Sequence, residues 1–313
     1  MFAGIIAGVT WAFETVILGI ALAMTPFCST EQAVFLAPFV STFIHDFASA
    51  IWAAIYNGAR GNLKDVWEAA KTPSGRGVAL GAIIGGPIGM TGYVLAINYM
   101  GASIGAIASA IFPAIGAILS YFFLKEKMKW YQWVFLLATL LGVYGLSYSP
   151  EVNVKNFWLG MLGALMCAVG WGLEAVIVAK CMKDEGIKDE YALQIRQTTS
   201  ALFYGVVILT LLKGWGFTFS LFGKGNGLLI PTIVLAAFFA TLSYLCYYRA
   251  IAQIGASKAM ALNVTYSAWA LILSVIVFRD TSLLSFQTIL CTVVVLVCGI
   301  LAAADFKDLI KKD

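Results

Sequence analysis

The stretch Val9-Thr10-Trp11-Ala12-Phe13-Glu14-Thr15-Val16-Ile17 returns 160 residues later as Val169-Gly170-Trp171-Gly172-Leu173-Glu174-Ala175-Val176-Ile177. Both copies lie inside long apolar runs, where an ionised carboxylate costs about 3 kcal/mol or more and therefore faces a cavity or a partner. Trp and Glu stand three apart in each copy and so share one helical face. A second match, at an interval of 154, lays Tyr93, Ala96, Ile97, Gly101, Ala102 and Ser103 on Tyr247, Ala250, Ile251, Gly255, Ala256 and Ser257, and it continues through Lys125-Glu126 onto Arg279-Asp280.

The composition says what these runs are. Of 313 residues, 61% are hydrophobic and 12% charged, far from the balance of a soluble domain. At roughly 20 apolar residues per crossing, the chain furnishes nine or ten spans and leaves little for a soluble catalytic domain. Apolar runs between polar, glycine or proline breaks place ten, at approximately 3 to 24, 33 to 57, 78 to 98, 103 to 124, 130 to 148, 158 to 179, 191 to 212, 228 to 251, 258 to 278 and 284 to 304. The first run lacks a basic leader region and carries Glu14 in its middle, so it reads as a span rather than a signal peptide.

With both termini cytoplasmic, the inner segments hold fifteen Lys and Arg, among them Arg60, Lys64, Lys71, Arg76, Lys307, Lys311 and Lys312. The outer segments hold only Lys155, Lys213, Lys224 and Arg279, and Arg196 lies inside span seven. This bias predicts an N-in, C-in topology. The repeat divides the chain into five-helix halves, residues 1–150 and 151–313. Five is odd, so the second half enters the membrane from the opposite face, giving the inverted repeats of alternating-access carriers. The expected fold is an all-α integral membrane protein of ten helices.

Other classes fit poorly. The six cysteines lie in or beside apolar stretches with no C-x-x-C pair, and the chain has one histidine, which leaves almost nothing from which to build a zinc site. The cysteines read as reduced packing residues. The net charge of +4 is dispersed through loops rather than gathered on a nucleic-acid-binding face. An intramembrane enzyme would need a nucleophile or metal cluster that the sequence does not display; no cofactor is expected, and a carrier fits the repeat better than a pore.

Across nearly the whole chain the sequence resembles the EamA-type carriers of the drug/metabolite transporter superfamily, and most closely the LicB-type bacterial choline permeases. The resemblance rests on Gly86-Pro87-Ile88-Gly89-Met90, Ser109-Ala110-Ile111-Phe112-Pro113-Ala114-Ile115, Phe122-Phe123-Leu124-Lys125, His45-Asp46-Phe47, Ile195-Arg196-Gln197, Ser243-Tyr244-Leu245 and Leu262-Asn263-Val264. It implies import of a quaternary amine such as choline across a bacterial cytoplasmic membrane, with proton coupling or the membrane potential as drive. Glu14 departs from the small neutral residue expected at its position in that family. Amino-acid or metabolite export, known among carriers of the same superfamily, is the alternative.

The ionisable residues at membrane depth are Glu14, His45, Asp46, Glu174 and Arg196. Three acids against one arginine favour a cationic guest. A buried carboxylate that keeps its proton becomes a neutral donor and a proton carrier, and a His-Asp pair can exchange protons near neutral pH. Glu14, Glu174, His45 and Asp46 are thus the proton-coupling candidates. Glu174 reads as counter-charge or proton site, or else as a structural partner for Arg196, whose own role is expected to be structural.

A trimethylammonium group has no N–H to donate, so its charge must be met by ring faces. Trp11 and Trp171 stand beside the two glutamates; Tyr244 and Tyr247 share a face with Ser243, and Asn263, Tyr266 and Trp269 follow at steps of three. These rings are expected around the cavity, with Asn263, Gln197 or Tyr93 taking a hydroxyl. Trp130, Trp133 and Trp158 read as interfacial anchors. Gly81, Gly85, Gly86, Gly89 and Gly92 make one span thin enough for close helix contact, and Pro87 and Pro113 mark expected hinges.

Overall fold

The computed structural model describes residues 1–148, 154–184, 187–223, 226–279 and 281–305, with only the backbone at 102–104, 106, 184 and 282. Of the residues used above, Lys224, Asp280, Lys307, Lys311 and Lys312 lie outside the described residues. The described chain is helical throughout its regular elements.

The helices run in chain order as α1 (Phe2–Ala23), α2 (Glu31–Ala59), α3 (Leu63–Lys71), α4 (Pro73–Ile83), a π-helical turn (Ile84–Ile88), α5 (Gly89–Met100), α6 (Ala102–Ser109), α7 (Phe112–Leu124) and α8 (Trp130–Ser147). The second half continues with α9 (Phe157–Asp184), α10 (Asp189–Phe203), a second π turn (Tyr204–Ile208), α11 (Leu209–Leu211), α12 (Trp215–Ser220), α13 (Leu229–Ile254), α14 (Ala256–Asn263), α15 (Tyr266–Phe278) and α16 (Phe286–Ala303). Among the described residues, nine helices are long and apolar enough to cross a membrane. The remaining expected span, 191 to 212, is helical from Asp189 to Leu211 but is not among the nine. It carries Arg196, Gln197 and Ser200, all buried, so its polarity points into the protein.

The interval of 154 extends from sequence to backbone. It maps α6 onto α14 and α7 onto α15 end for end. The bends between helices recur with it: Gly101 and Gly255 adopt φ of 83° and 88°, and Lys125 and Arg279 adopt 59° and 54°. The first pair occupies the region that glycine enters without a Cβ penalty. The second is the left-handed residue that ends many helices. Packing follows the same exchange. The contacts of α1 with α13 and α15 are matched by those of α9 with α5 and α7; α2 on α13 is matched by α10 on α4, while α2 meets α10 and α8 meets α16.

The two prolines behave differently. Pro87 lies within the π turn, where the wider helix accommodates a residue that has no N–H to give, so the helix continues through it. Pro113 stands in the first turn of α7, a position where no intrahelical bond is lost, and the chain breaks just before it. The corresponding break at 264–265, between α14 and α15, has no proline.

Close helix contact is made by glycine. A Cβ on Gly163 of α9 would stand 2.6 Å from the Gly92 carbonyl oxygen and 2.8 Å from the Ala96 nitrogen, so α5 and α9 touch backbone to backbone. At the helix ends, Glu126 spans the two halves: it accepts hydrogen bonds from the backbone N–H of Ala256 (2.9 Å) and Ser257 (3.0 Å) and from the Ser257 hydroxyl (2.8 Å), capping the positive end of α14.

Because the obstructing atoms at Gly163 are backbone, Gly163→Ala must push α9 from α5. We expect a loss of about 1–3 kcal/mol, typical of overpacking, read as a lowered melting temperature in detergent. Gly216→Ala, where a Cβ meets nothing within 4 Å, should melt at or slightly above the wild-type temperature.

Candidate functional site

A cavity of about 140 Å³ lies between the halves. Its walls come from α1 (Trp11, Glu14), α2 (His45, Asp46), α9 (Trp171, Glu174), α10 (Arg196) and α13 (Tyr244, Tyr247, Tyr248), with Phe112 and Asn263 at the helix breaks. Both copies of the repeated Trp-x-x-Glu therefore face the same space. Gly85 and Gly86 form a side-chain-free wall. A Cβ on Gly85 would overlap the Glu174 carboxylate, so the bare helix is what leaves room for that acid.

The ionisable groups form one chain of alternating sign. Glu14 Oε1 lies 3.5 Å from His45 Nε2, and His45 Nδ1 lies 3.0 Å from Asp46 Oδ1. Asp46 Oδ2 accepts from the Ser200 hydroxyl at 2.6 Å and stands 3.5 Å from an Arg196 terminal nitrogen. Arg196 Nε donates to Glu174 Oε1 at 2.8 Å. The same guanidinium donates to Gln197 Oε1 at 2.6 Å and lies 4.7 Å from the centre of the Tyr244 ring. Counting the carboxylates as ionised, the chain carries a formal charge of minus two with His45 neutral and minus one with it protonated. His45 stands between two carboxylates: Nδ1 is within hydrogen-bond distance of Asp46, whereas Nε2 faces Glu14 without a hydrogen bond, so the imidazole is placed between two possible proton sites.

Behind this chain a second one fixes Arg196. Gln197 Nε2 donates to Ser49 Oγ at 2.6 Å, Ser49 lies 2.8 Å from Thr241 Oγ1, and Thr241 donates to the Ala237 carbonyl. Thus α10, α2 and α13 are tied in sequence. Ser243 Oγ donates to Ala7 O at 2.9 Å, which ties α13 to α1.

The rings occupy two kinds of position. Trp11, Trp171, Tyr244 and Tyr247 line the cavity, as does Asn263. Tyr266 stacks on Trp11 with centroids 4.5 Å apart, and Tyr93 packs at 5.7 Å against Trp171; both hold a lining ring from behind. The repeat explains the match between Trp11 on Tyr266 and Trp171 on Phe112, at 5.6 Å, because Phe112 and Tyr266 are 154 apart. Trp269 is half-buried and is not in the lining, and Gln197 serves the chain behind Arg196. Sequence reasoning passed over Tyr248, Phe112, Ser200 and Ser49. Three had a signal: Tyr248 and Ser200 lie four residues beyond Tyr244 and Arg196, and Ser49 three beyond Asp46, each on the same helical face. The Tyr248 hydroxyl and Asn263 Oδ1 have no hydrogen-bond partner among the described residues, leaving polar atoms at the lining.

With this geometry in view, comparison with known proteins decides the family. Residues 1–148 match the model of the EamA-like transporter family. The chain is 34% identical over 204 residues to Protein LicB of Haemophilus influenzae, covering 64% of this chain and 67% of that one. The chain belongs to the EamA-like transporter family. An uncharacterized transporter of Clostridium kluyveri is 26% identical over 210 residues, covering 65% of each chain. A solved crystal structure superposes with a TM-score of 0.70 over 97% of this chain and 96% of its own, at 17% identity, and so shares the fold. As a member of the EamA-like family, within the drug/metabolite transporter superfamily, the protein is a multi-pass membrane transporter rather than an enzyme.

Removing one member of a buried ion pair costs about 3–5 kcal/mol, because the partner is left charged and desolvated. Glu174→Ala, which leaves Arg196 with Asp46 alone as carboxylate partner, should therefore lower the melting temperature sharply. Glu14→Ala should lower it less, since Glu14 has no arginine partner among the described residues and meets His45 at 3.5 Å, with Thr15 and Trp11 as its hydrogen-bond neighbours.

Proposed function

We propose that this transporter imports choline or a related quaternary amine across the bacterial cytoplasmic membrane. Its two halves, 1–150 and 151–313, act as inverted five-helix repeats with both termini inside, and they alternate access to the cavity between them. The observation that carries this reading is the make-up of that cavity: rings from both halves around three carboxylates, one histidine and one arginine, a formally negative set when the carboxylates are ionised. The correspondence of helices α6–α7 with α14–α15 and the exchange pattern of helix contacts support the two-fold organisation. The resemblance to choline permeases, carried by motifs that include His45-Asp46 and Ile195-Arg196-Gln197, points to the same cargo.

An onium ion needs ring faces and a nearby anion rather than hydrogen-bond acceptors. Each ring face offers about 0.5–2 kcal/mol, more when desolvated, and Glu14 stands beside Trp11 to supply the counter-charge. Export of amino acids would call for a cation free to hold a carboxylate. Arg196 is already committed: its Nε and one terminal nitrogen are turned to Glu174, Asp46 and Gln197, and Tyr244 lies over its face.

The membrane potential supplies a drive, because one positive charge moving inward across 100 mV gains about 2.3 kcal/mol, roughly fifty-fold accumulation. Proton coupling is the second element of the proposal. Glu14 and Asp46 flank His45 as the exchanging sites, and Glu174 remains with Arg196.

Uptake of labelled choline into proteoliposomes tests the reading. Choline should accumulate under an inside-negative potential and compete with tetramethylammonium but not with zwitterionic amino acids; absence of uptake, or competition by amino acids alone, would overturn the cargo. Trp171→Ala and Tyr247→Ala should each reduce uptake about tenfold or more. An imposed inward pH gradient should add to wild-type accumulation and should not do so in Glu14→Gln.

A further inference from the structure

The short helix α3 joins α2 to α4 at the membrane surface, and its side chains are sorted by face. At 100° per residue, Val66, Ala70, Leu63 and Trp67 fall on one arc. The arc is only half used by the protein. Val66 is buried, whereas Leu63 and Trp67 are 51% and 64% exposed. Lys71 and Lys64 follow Trp67 around the helix, and Lys71 Nζ lies 5.3 Å from the Trp67 ring centre.

The charges around this arc are unequal. Residues 60–76 hold Arg60, Lys64, Lys71 and Arg76 against Asp65 and Glu68. Both acids already have partners: Glu68 pairs with Lys71 at 2.9 Å, and Asp65 accepts from the Tyr191 hydroxyl at 3.3 Å. Lys64 and Arg76 are exposed and have no acidic partner among the described residues. The result is an apolar strip on α3 with one uncommitted cation next to it, Lys64, and a second, Arg76, in the first turn of the helix that follows, α4.

We propose that α3 and the start of α4 form an anionic-lipid site: Leu63 and Trp67 seat at the interface while Lys64 of α3 and Arg76 of α4 hold acidic phospholipid headgroups. The chemistry is that of an in-plane amphipathic helix, whose apolar face enters the headgroup boundary and whose basic flank selects negative lipid. Since Tyr191 of α10 also receives a hydrogen bond from Lys188 at 3.1 Å, the Asp65–Tyr191 contact joins the helix that meets lipid to the one that carries Arg196.

Amide exchange of residues 63–71 in the full chain, one copy per nanodisc, tests this. Discs of phosphatidylcholine alone are compared with discs containing phosphatidylglycerol. We expect exchange in the anionic discs slower by on the order of fivefold for each engaged cation. Lys64→Gln with Arg76→Gln should abolish that difference at an unchanged melting temperature, and Trp67→Ser should speed exchange in both discs. Equal exchange in the two discs would overturn the proposal, as would protection that appears only when a disc holds two copies or when an acidic soluble protein is added.

Discussion

Arg196 is the constraint around which the rest is arranged. A guanidinium held in a membrane interior demands acceptors from every direction, and here they come from different helices: Glu174 from α9, Asp46 from α2 and Gln197 from its own. Tyr244 of α13 lies over the guanidinium, its ring centre 4.7 Å away. Four helices are thereby registered to one side chain. Helices in a bilayer have little hydrophobic reason to prefer one another, so directed polar contacts of this kind carry much of the specificity of the bundle.

The cavity inherits its character from that arrangement. One carboxylate is consumed by the arginine and a second is shared with it, which leaves the third, Glu14, to answer to His45 and to the space itself. The aromatic wall is doubled, with Tyr266 behind Trp11 and Tyr93 behind Trp171, so the rings that face the cavity are held by rings that do not. The two glutamates related by the repeat thus have different partners around one cavity, Glu174 the arginine and Glu14 the histidine.

Much of this was legible from the chain alone, and the reason is the membrane. A charge or a Trp-x-x-Glu pair inside an apolar run has few explanations, and all five ionisable residues singled out on that ground meet in one network. Periodicity places Tyr266 and Trp269 on a face with Asn263 but does not say what that face looks at. Tyr266 instead backs Trp11, and Trp269 lies away from the lining. Partner choice is likewise invisible in sequence, since Arg196 and Asp46 are brought together across 150 residues by the packing of α2 on α10. The break before α7 was marked by Pro113, whereas its counterpart at 264–265 has no proline and follows from the repeat interval. The helix from Asp189, placed among the ten expected spans, is not one of the nine that length and composition pick out, because it carries the polar side chains of the core.

The bare wall at Gly85 and Gly86 has a consequence for how such a site can change. Along that helix the protein contributes shape and no functional groups, so the chemistry opposite is set by what the glycines leave unfilled. A methyl group acquired at Gly85 would act as a substitution of Glu174 without altering Glu174, and one at Gly86 would press on Ser200, the donor to Asp46, converting a change in volume into a change in charge placement. Variation in this wall should therefore register in the electrostatics of the guest's surroundings before it registers in the packing of the helix that carries it.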